Sequence, residues 1–234
     1  YAFAEPGEFF ARARATSVFM HVEAKDLLSI VGENFAQHAL MFNYQGDANP
    51  RHNLPHTPML DFVSGTLFVL GMFLALFHRR NTAVLVLPVW VFLMLWPGIL
   101  TVPWESPQSL RTLLVTPAVA ILITLVLTVC YQCGRESTSR PIKTLTFIGI
   151  ATLLIVIAIL NLKTYFWDQA NHPDVYSAFS TSETLVARDM MEQQRKGYSL
   201  FASRQFLFNI TIGLLGHQPY YEPVKLLRDI PLVE

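Results

Sequence analysis

The chain is short of charge and of cysteine. Its 234 residues hold 17 Lys plus Arg and 17 Asp plus Glu, which cancel to a formal net charge of zero. That balance supplies no electrostatic footprint for nucleic acid or another polyanion, which are bound through clustered Lys and Arg. Two cysteines, Cys130 and Cys133, exclude a disulfide framework and a four-cysteine zinc site. Their C-x-x-C spacing suits redox chemistry or half of a metal site, but neither a second pair nor a βαβ pattern accompanies it. They read as small apolar residues at a membrane boundary. Also missing is the apolar core of a cleavable signal peptide: the stretch before the first apolar run opens with Glu5, Glu8, Arg12 and Arg14.

What the chain has in quantity is apolar sequence. Hydrophobic residues make up 52% of it and gather into four runs, near 60–77, 82–102, 112–131 and 144–162. A helix rises about 1.5 Å per residue and the hydrocarbon layer is roughly 30 Å thick, so each crossing takes about twenty apolar residues. None of the four runs carries Lys, Arg, Asp or Glu in its interior, where a charge costs several kcal/mol. The expected fold class is therefore an α-helical integral membrane protein with four transmembrane helices. His78, Arg79 and Arg80 follow the first run, and Arg135, Arg140 and Lys143 separate the third from the fourth. By the positive-inside rule those loops are cytoplasmic, which puts both ends of the chain on the external side. The loop 103–111, with Trp104, Glu105 and Arg111, then reads as a short outer turn with an interfacial aromatic.

Three regions follow. Residues 1–58 are external, made of interfacial helices and an ordered loop. After Glu5-Pro6-Gly7 a short helix places Phe9, Phe10 and Ala13 on one side and Arg12 and Arg14 on the other. A second helix, about 24–42, sets Leu27, Leu28, Val31, Phe35, His38 and Leu40 near helical spacing, leaving Lys25, Asp26, Glu33 and Asn34 for the remaining surface. Residues 43–58 contain Gly46, Asp47, Asn49, Pro50, Asn53, Pro55 and Pro58, which suit neither a regular helix nor a central strand. Their polar groups, placed directly before a span, point to an ordered, functional loop. Residues 59–162 are the transmembrane region, with Pro88, Pro97 and Pro117 in or beside its helices.

Residues 163–234 are expected to form a small external α/β domain. It begins with an aromatic belt, Tyr165, Phe166 and Trp167, and continues into an amphipathic helix capped within 180–182 and ended by Gly197. A strand at 198–202, a helix or strand at 205–215 and a partly extended tail from 219 complete it. Asn209-Ile210-Thr211 fits the glycosylation sequon, which matters only in a secretory pathway.

Several side chains are candidates for chemistry. His52 and His56 are four apart and flanked by Asp47 and Asp61, but Pro55 breaks the helical geometry that would make the imidazoles converge, so no metal is expected. Arg51 and Arg111 carry guanidinium forks suited to a phosphate near a bilayer surface. Glu105 is in reach of Arg111 across a proline-bounded turn, so an ion pair that pins the turn and a phosphate contact both stand open. Asp61 precedes the first span, where a carboxylate caps a helix N-terminus. A base for group transfer has instead to reach an acceptor hydroxyl and be ionised near neutral pH.

A resemblance joins these residues. The run Asp47-Ala48-Asn49-Pro50-Arg51-His52-Asn53-Leu54-Pro55, then Pro58-Met59-Leu60-Asp61 and a span containing Gly65, resembles the second half of bacterial family 39 membrane glycosyltransferases. These are relatives of the protein mannosyltransferases and the aminoarabinose transferase, of the GT-C class. Further matches are Glu8-Phe9-Phe10-Ala11-Arg12-Ala13-Arg14 with Ser17-Val18, Glu105-Ser106-Pro107-Gln108-Ser109-Leu110-Arg111 with Pro117, and the stretch 198–216, all in the family's order. The resemblance implies a sugar donor carried on a polyprenyl phosphate, no other cofactor, and a bacterial cytoplasmic membrane. It implies Arg51 and Arg111 as donor-phosphate contacts and His52, Asn53, Glu105 and Asp61 as contacts to donor or acceptor. The family's catalytic acid lies in a first external loop, which here would fall upstream of Tyr1, so the chain is expected to be a C-terminal part. Expected partners are the bilayer, the lipid-linked sugar and other membrane subunits, with no nucleic acid. The alternative is a non-catalytic subunit packed in a larger membrane assembly such as an electron-transfer complex.

Overall fold

The computed structural model describes residues 7, 10–77, 82–198, 200–202, 210–211 and 224–226. It falls into two compact units, Tyr1–Gln169 and Ala170–Glu234. In the first, two short helices, α1 (Ala11–Ala15) and α2 (Val18–His21), precede α3 (Leu27–Leu40). Then come α4 (Phe62–Phe77), α5 (Thr82–Ile99), two 3-10 turns at Pro103–Glu105 and Leu110–Val115, α6 (Thr116–Glu136) and α7 (Arg140–Lys163), which widens into a π-helical turn at Thr164–Gln169.

Helical stretches at Thr82–Ile99, Leu113–Glu136 and Arg140–Gln169 are long and apolar enough to cross a membrane, whereas α4 is a shorter apolar helix of 16 residues. Sixteen residues rise only about 24 Å, less than the hydrocarbon thickness. The expectation of four full-length crossings is thus met by three such helices among the described residues. The first apolar run loses length because Asp61 caps α4 and takes Leu60 out of the helix.

The bundle is held by apolar packing at close range. Phe68 and Ala75 of α4 share a buried cluster with Leu87, Val91 and Leu95 of α5 and with Ala118, Val119 and Leu122 of α6. Gly71 lets α4 approach α6 so closely that a Cβ there would collide with the Leu122 backbone carbonyl. A glycine in a helix interior costs roughly 0.5–1 kcal/mol relative to alanine, which this backbone approach offsets. Pro88 and Pro97 both sit inside α5, and the Trp90 indole N–H donates to the Leu114 carbonyl at 3.0 Å, tying α5 to the turn before α6. By contrast, α7 has no buried residue. Lipid solvates apolar side chains as well as a protein core does, so a helix apolar on all sides needs no protein cover in a bilayer.

Helix α3 corrects one placement: Asn34, expected on the remaining polar surface, is buried. Leu28, Phe35 and Leu40 are exposed, while Asn34 and His38, one turn apart, are 1% and 0% exposed. Much of the apolar surface faces out, Val31 is half-buried against the core, and a polar pair faces in. The reason is hydrogen-bonding demand: the segment beneath α3 leaves backbone carbonyls and an N–H without helical partners, and only polar side chains satisfy them.

In the second unit, α8 (Pro173–Ala178) is N-capped by His172, whose ring accepts from the Asp174 N–H, and α9 (Thr181–Arg195) follows. Ser180 precedes α9 at φ +51°, with no side-chain cap, so the expected serine capping is replaced by its carbonyl accepting from Thr184. Gly197, at φ +83°, occupies the left-handed region just past the end of α9, as its position in the sequence implied. Strands β1 (Leu200–Ala202) and β2 (Val224–Leu226) pair in parallel. The sequon at Asn209 and most of the expected 205–215 element and tail lie outside the described residues.

Candidate functional site

The loop between α3 and α4 is ordered by its own hydrogen bonds. Its base is closed by Met59 N–H donating to the Met41 carbonyl at 2.9 Å and Leu60 N–H to that of Phe42 at 3.1 Å. The Asn53 amide donates to the Thr57 carbonyl at 2.8 Å, and the Thr57 hydroxyl donates to Leu54 at 2.7 Å. Gly46 packs against this same Thr57 carbonyl with no room for a Cβ. Prolines at 50, 55 and 58 remove donors that such a loop would otherwise have to satisfy.

At the centre of the loop Asp47 is 3% exposed. One carboxylate oxygen, Oδ1, accepts the Asn49 N–H at 2.8 Å. The other, Oδ2, accepts the Ser109 N–H at 2.9 Å, the Ser109 hydroxyl at 2.8 Å and His52 Nδ1 at 3.1 Å. A carboxylate in so buried a place is tolerable only with its lone pairs filled, and here they are. The result is a clasp between two loops 62 residues apart in sequence.

Helix α3 fastens the second loop independently. The His38 ring donates from Nδ1 to the Asn34 carbonyl at 2.7 Å and accepts the Gln108 N–H on Nε2 at 3.0 Å. An Nε2 that accepts a backbone N–H carries no proton, so this histidine is neutral, with the tautomer set by its two partners. Burial pushes its pKa below the usual value, against smaller upward effects of the Asn34 carbonyl and the Asp47 charge. The Asn34 amide donates to the carbonyls of Ile99 and Thr101, at 2.9 and 2.8 Å.

The remaining candidates sort by place. Arg51, exposed, lines a mostly apolar cavity of about 420 Å³ together with His52 and Ser109. Its walls include Phe42, Met59, Leu60, Leu113 and Val119. Arg111 is not among the residues lining that cavity. Its guanidinium is held by Glu105 at 3.1 Å, by the Thr101 hydroxyl and by the Thr16 carbonyl, so the ion pair across the turn is present. Asn53 is spent on the loop backbone.

Asp61 caps α4 through the Val63 and Ser64 N–H groups, both at 3.0 Å, and also accepts the Ser64 hydroxyl at 2.6 Å and the Asn161 amide of α7 at 2.8 Å. A carboxylate so engaged is a weak base. His56 Nδ1 faces the Gln45 amide at 3.2 Å, not His52, and the described residues contain no group of three His, Cys, Asp or Glu able to hold a metal.

Asn34, His38 and Ser109 were not singled out for the site by sequence. For Asn34 and His38 the available signal is the i, i+4 polar pair on α3, which interrupts an otherwise apolar stripe. Among known proteins, no family model, no curated protein and no solved structure matches this chain.

Proposed function

We propose that this chain is the donor-binding part of a membrane glycosyltransferase, of the family 39 type, that moves a sugar from a polyprenyl phosphate to an acceptor outside the cytoplasm. One observation carries the reading: an apolar cavity of about 420 Å³, opening beside helices long enough to cross a bilayer, with Arg51 and His52 in its wall. An isoprenoid chain asks for apolar walls near lipid, and its phosphate asks for a guanidinium fork. Arg51 and His52 are the donor-phosphate contacts in this reading. Arg111 acts on the phosphate only through the loop that it holds with Glu105 and Thr101. Asn53 and Asp61 position the loop and α4. The basic loops at 78–80 and 135–143 support an external clasp in this reading, with α4 as a fourth, shorter crossing.

Binding of a short-chain polyprenyl phosphate to the full-length protein in nanodiscs tests this. Charge-assisted hydrogen bonds contribute about 1.5–3 kcal/mol, so Arg51→Ala is expected to weaken binding by about tenfold to a hundredfold and to slow sugar transfer in step. Unchanged binding in Arg51→Ala would overturn the assignment.

A second reading draws on α7, which is apolar and has no buried residue. A non-catalytic subunit would use that surface against another membrane protein. Purification in mild detergent separates the two: a stoichiometric partner protein with no effect of Arg51→Ala on polyprenyl-phosphate binding favours the subunit.

A further inference from the structure

A second, polar cleft of about 250 Å³ shares the clasp with the apolar cavity. It lies between the Asp47–Asn49 stretch of one loop and Trp104–Gln108 of the other, and Asp47 lines it while the clasp partners His52 and Ser109 line the apolar cavity. The cleft groups are unusual in what they leave unused. Gln108 is 8% exposed. Its Oε1 accepts the Leu110 N–H at 3.1 Å, which fixes the amide orientation, and its Nε2 donors have no partner among the described residues. The Ser106 hydroxyl oxygen is buried with no hydrogen-bond partner among the described residues. Glu105 offers Oε1, because its salt bridge to Arg111 and its contact with Thr101 both use Oε2. Trp104, held edge-on by His21 with ring centroids 5.6 Å apart, keeps its indole 69% exposed at the rim.

A buried polar group without a partner costs free energy, and the Ser106 hydroxyl beside the uncommitted Gln108 Nε2 and Glu105 Oε1 gives the cleft polar groups that a ligand would complete. The chemistry narrows the class. An anion would meet two carboxylates, Asp47 and Glu105. A cation would find Asp47 filled by four hydrogen bonds and Glu105 neutralised by Arg111. A neutral ring dense in hydroxyls fits: it donates to Glu105 Oε1, accepts from Gln108 Nε2 and Ser106 Oγ, and lays its C–H face on the electron-rich indole.

We propose that this cleft is a carbohydrate-ring subsite, with Trp104 as platform and Glu105, Ser106 and Gln108 as hydrogen-bonding partners. The inference deepens the transferase reading, naming where a sugar sits relative to the phosphate site across the Asp47–Ser109 clasp. It is carried by the cleft itself.

The test is titration of the full-length protein in nanodiscs with neutral methyl pyranosides (gluco, manno, galacto and 2-acetamido-gluco), followed by saturation-transfer NMR. At least one glycoside is expected to bind saturably, and Trp104→Ala, whose side chain is mostly solvent-exposed, is expected to weaken it about tenfold. Ser106→Ala separates ligand binding from a structural role: removing an unpartnered buried hydroxyl leaves the melting temperature equal or higher, yet glycoside binding falls. No saturable binding by any of the four, or binding unchanged in both variants, overturns the subsite. If polyprenyl-phosphate binding persists while glycosides fail, the cleft assignment alone falls. If glycosides bind and depend on Trp104 while polyprenyl phosphate does not bind, the subsite stands and the transferase reading falls.

Discussion

The helical bundle and the loop clasp hold themselves together in opposite ways. Between α4 and α6 cohesion comes from shape: Gly71 and Ala75 let two backbones approach, and Leu122 fills the gap. In lipid this packing gains no hydrophobic driving force, so close van der Waals contact has to supply the adhesion. Between the loops cohesion comes from a few buried polar atoms, in which Asp47, His38 and Asn34 satisfy backbone groups more than sixty residues away. Packing of apolar side chains tolerates substitution of similar volume. A filled carboxylate does not, because every partner it loses becomes a buried unsatisfied group. The difference explains why the candidate chemistry gathers at the clasp: there the positions of several buried polar atoms are set to within a hydrogen-bond length.

The sharpest way to break that contrast is Asp47→Ala. It orphans the Ser109 and Asn49 N–H groups together, and is expected to cost about 3 kcal/mol and to abolish polyprenyl-phosphate binding. Chemical or thermal unfolding in nanodiscs measures the first effect, and a loss under about 1 kcal/mol would show that the clasp is not a rigid element. The matching change in the bundle is Gly71→Val, which forces α4 away from the Leu122 carbonyl. It is expected to cost about 1–3 kcal/mol while leaving phosphate affinity within about twofold, because the strain stays within the bundle.

The smallest effect is a pH dependence that belongs to the clasp alone. Burial lowers the His38 pKa from its ordinary 6.5, so the folded chain binds this proton less readily than the unfolded chain. The stabilisation is present above about pH 6.5 and is lost as pH falls through the folded value. Melting temperature is expected to decline on acidification from about pH 7 to 5, and His38→Gln to flatten that decline. An identical slope in the variant would assign the dependence to other groups.

The bundle was readable in advance and the clasp was not. Apolar runs without internal charge located α5, α6 and α7, and Gly197 located the end of α9. The proline-rich stretch 43–58 is tied by its own hydrogen bonds, and its polar density did not say which group would be central. Asp61 as a helix cap was legible because a cap is a local event, needing only the next three residues. The orientation of α3 was not. Its spacing grouped Leu28, Phe35, His38 and Leu40 and left Asn34 to the remaining surface, whereas the structure buries Asn34 with His38 and exposes Leu28, Phe35 and Leu40. Spacing reports that a helix is two-sided, and only the material on each side decides which face is hidden.

By itself the amino-acid sequence determined what depends on near neighbours: helices where lipid has to solvate the chain, stops at glycine, a cap at Asp61 and a loop too rich in proline to be regular. The tertiary structure alone decided which carbonyls lie over α3, that Asp47 meets Ser109, and that Arg51 lines a cavity while Arg111 is tied to Glu105. The physical reason is range. Propensity and solvation add up along the chain, whereas a hydrogen bond between segments 62 residues apart exists only once both have been placed.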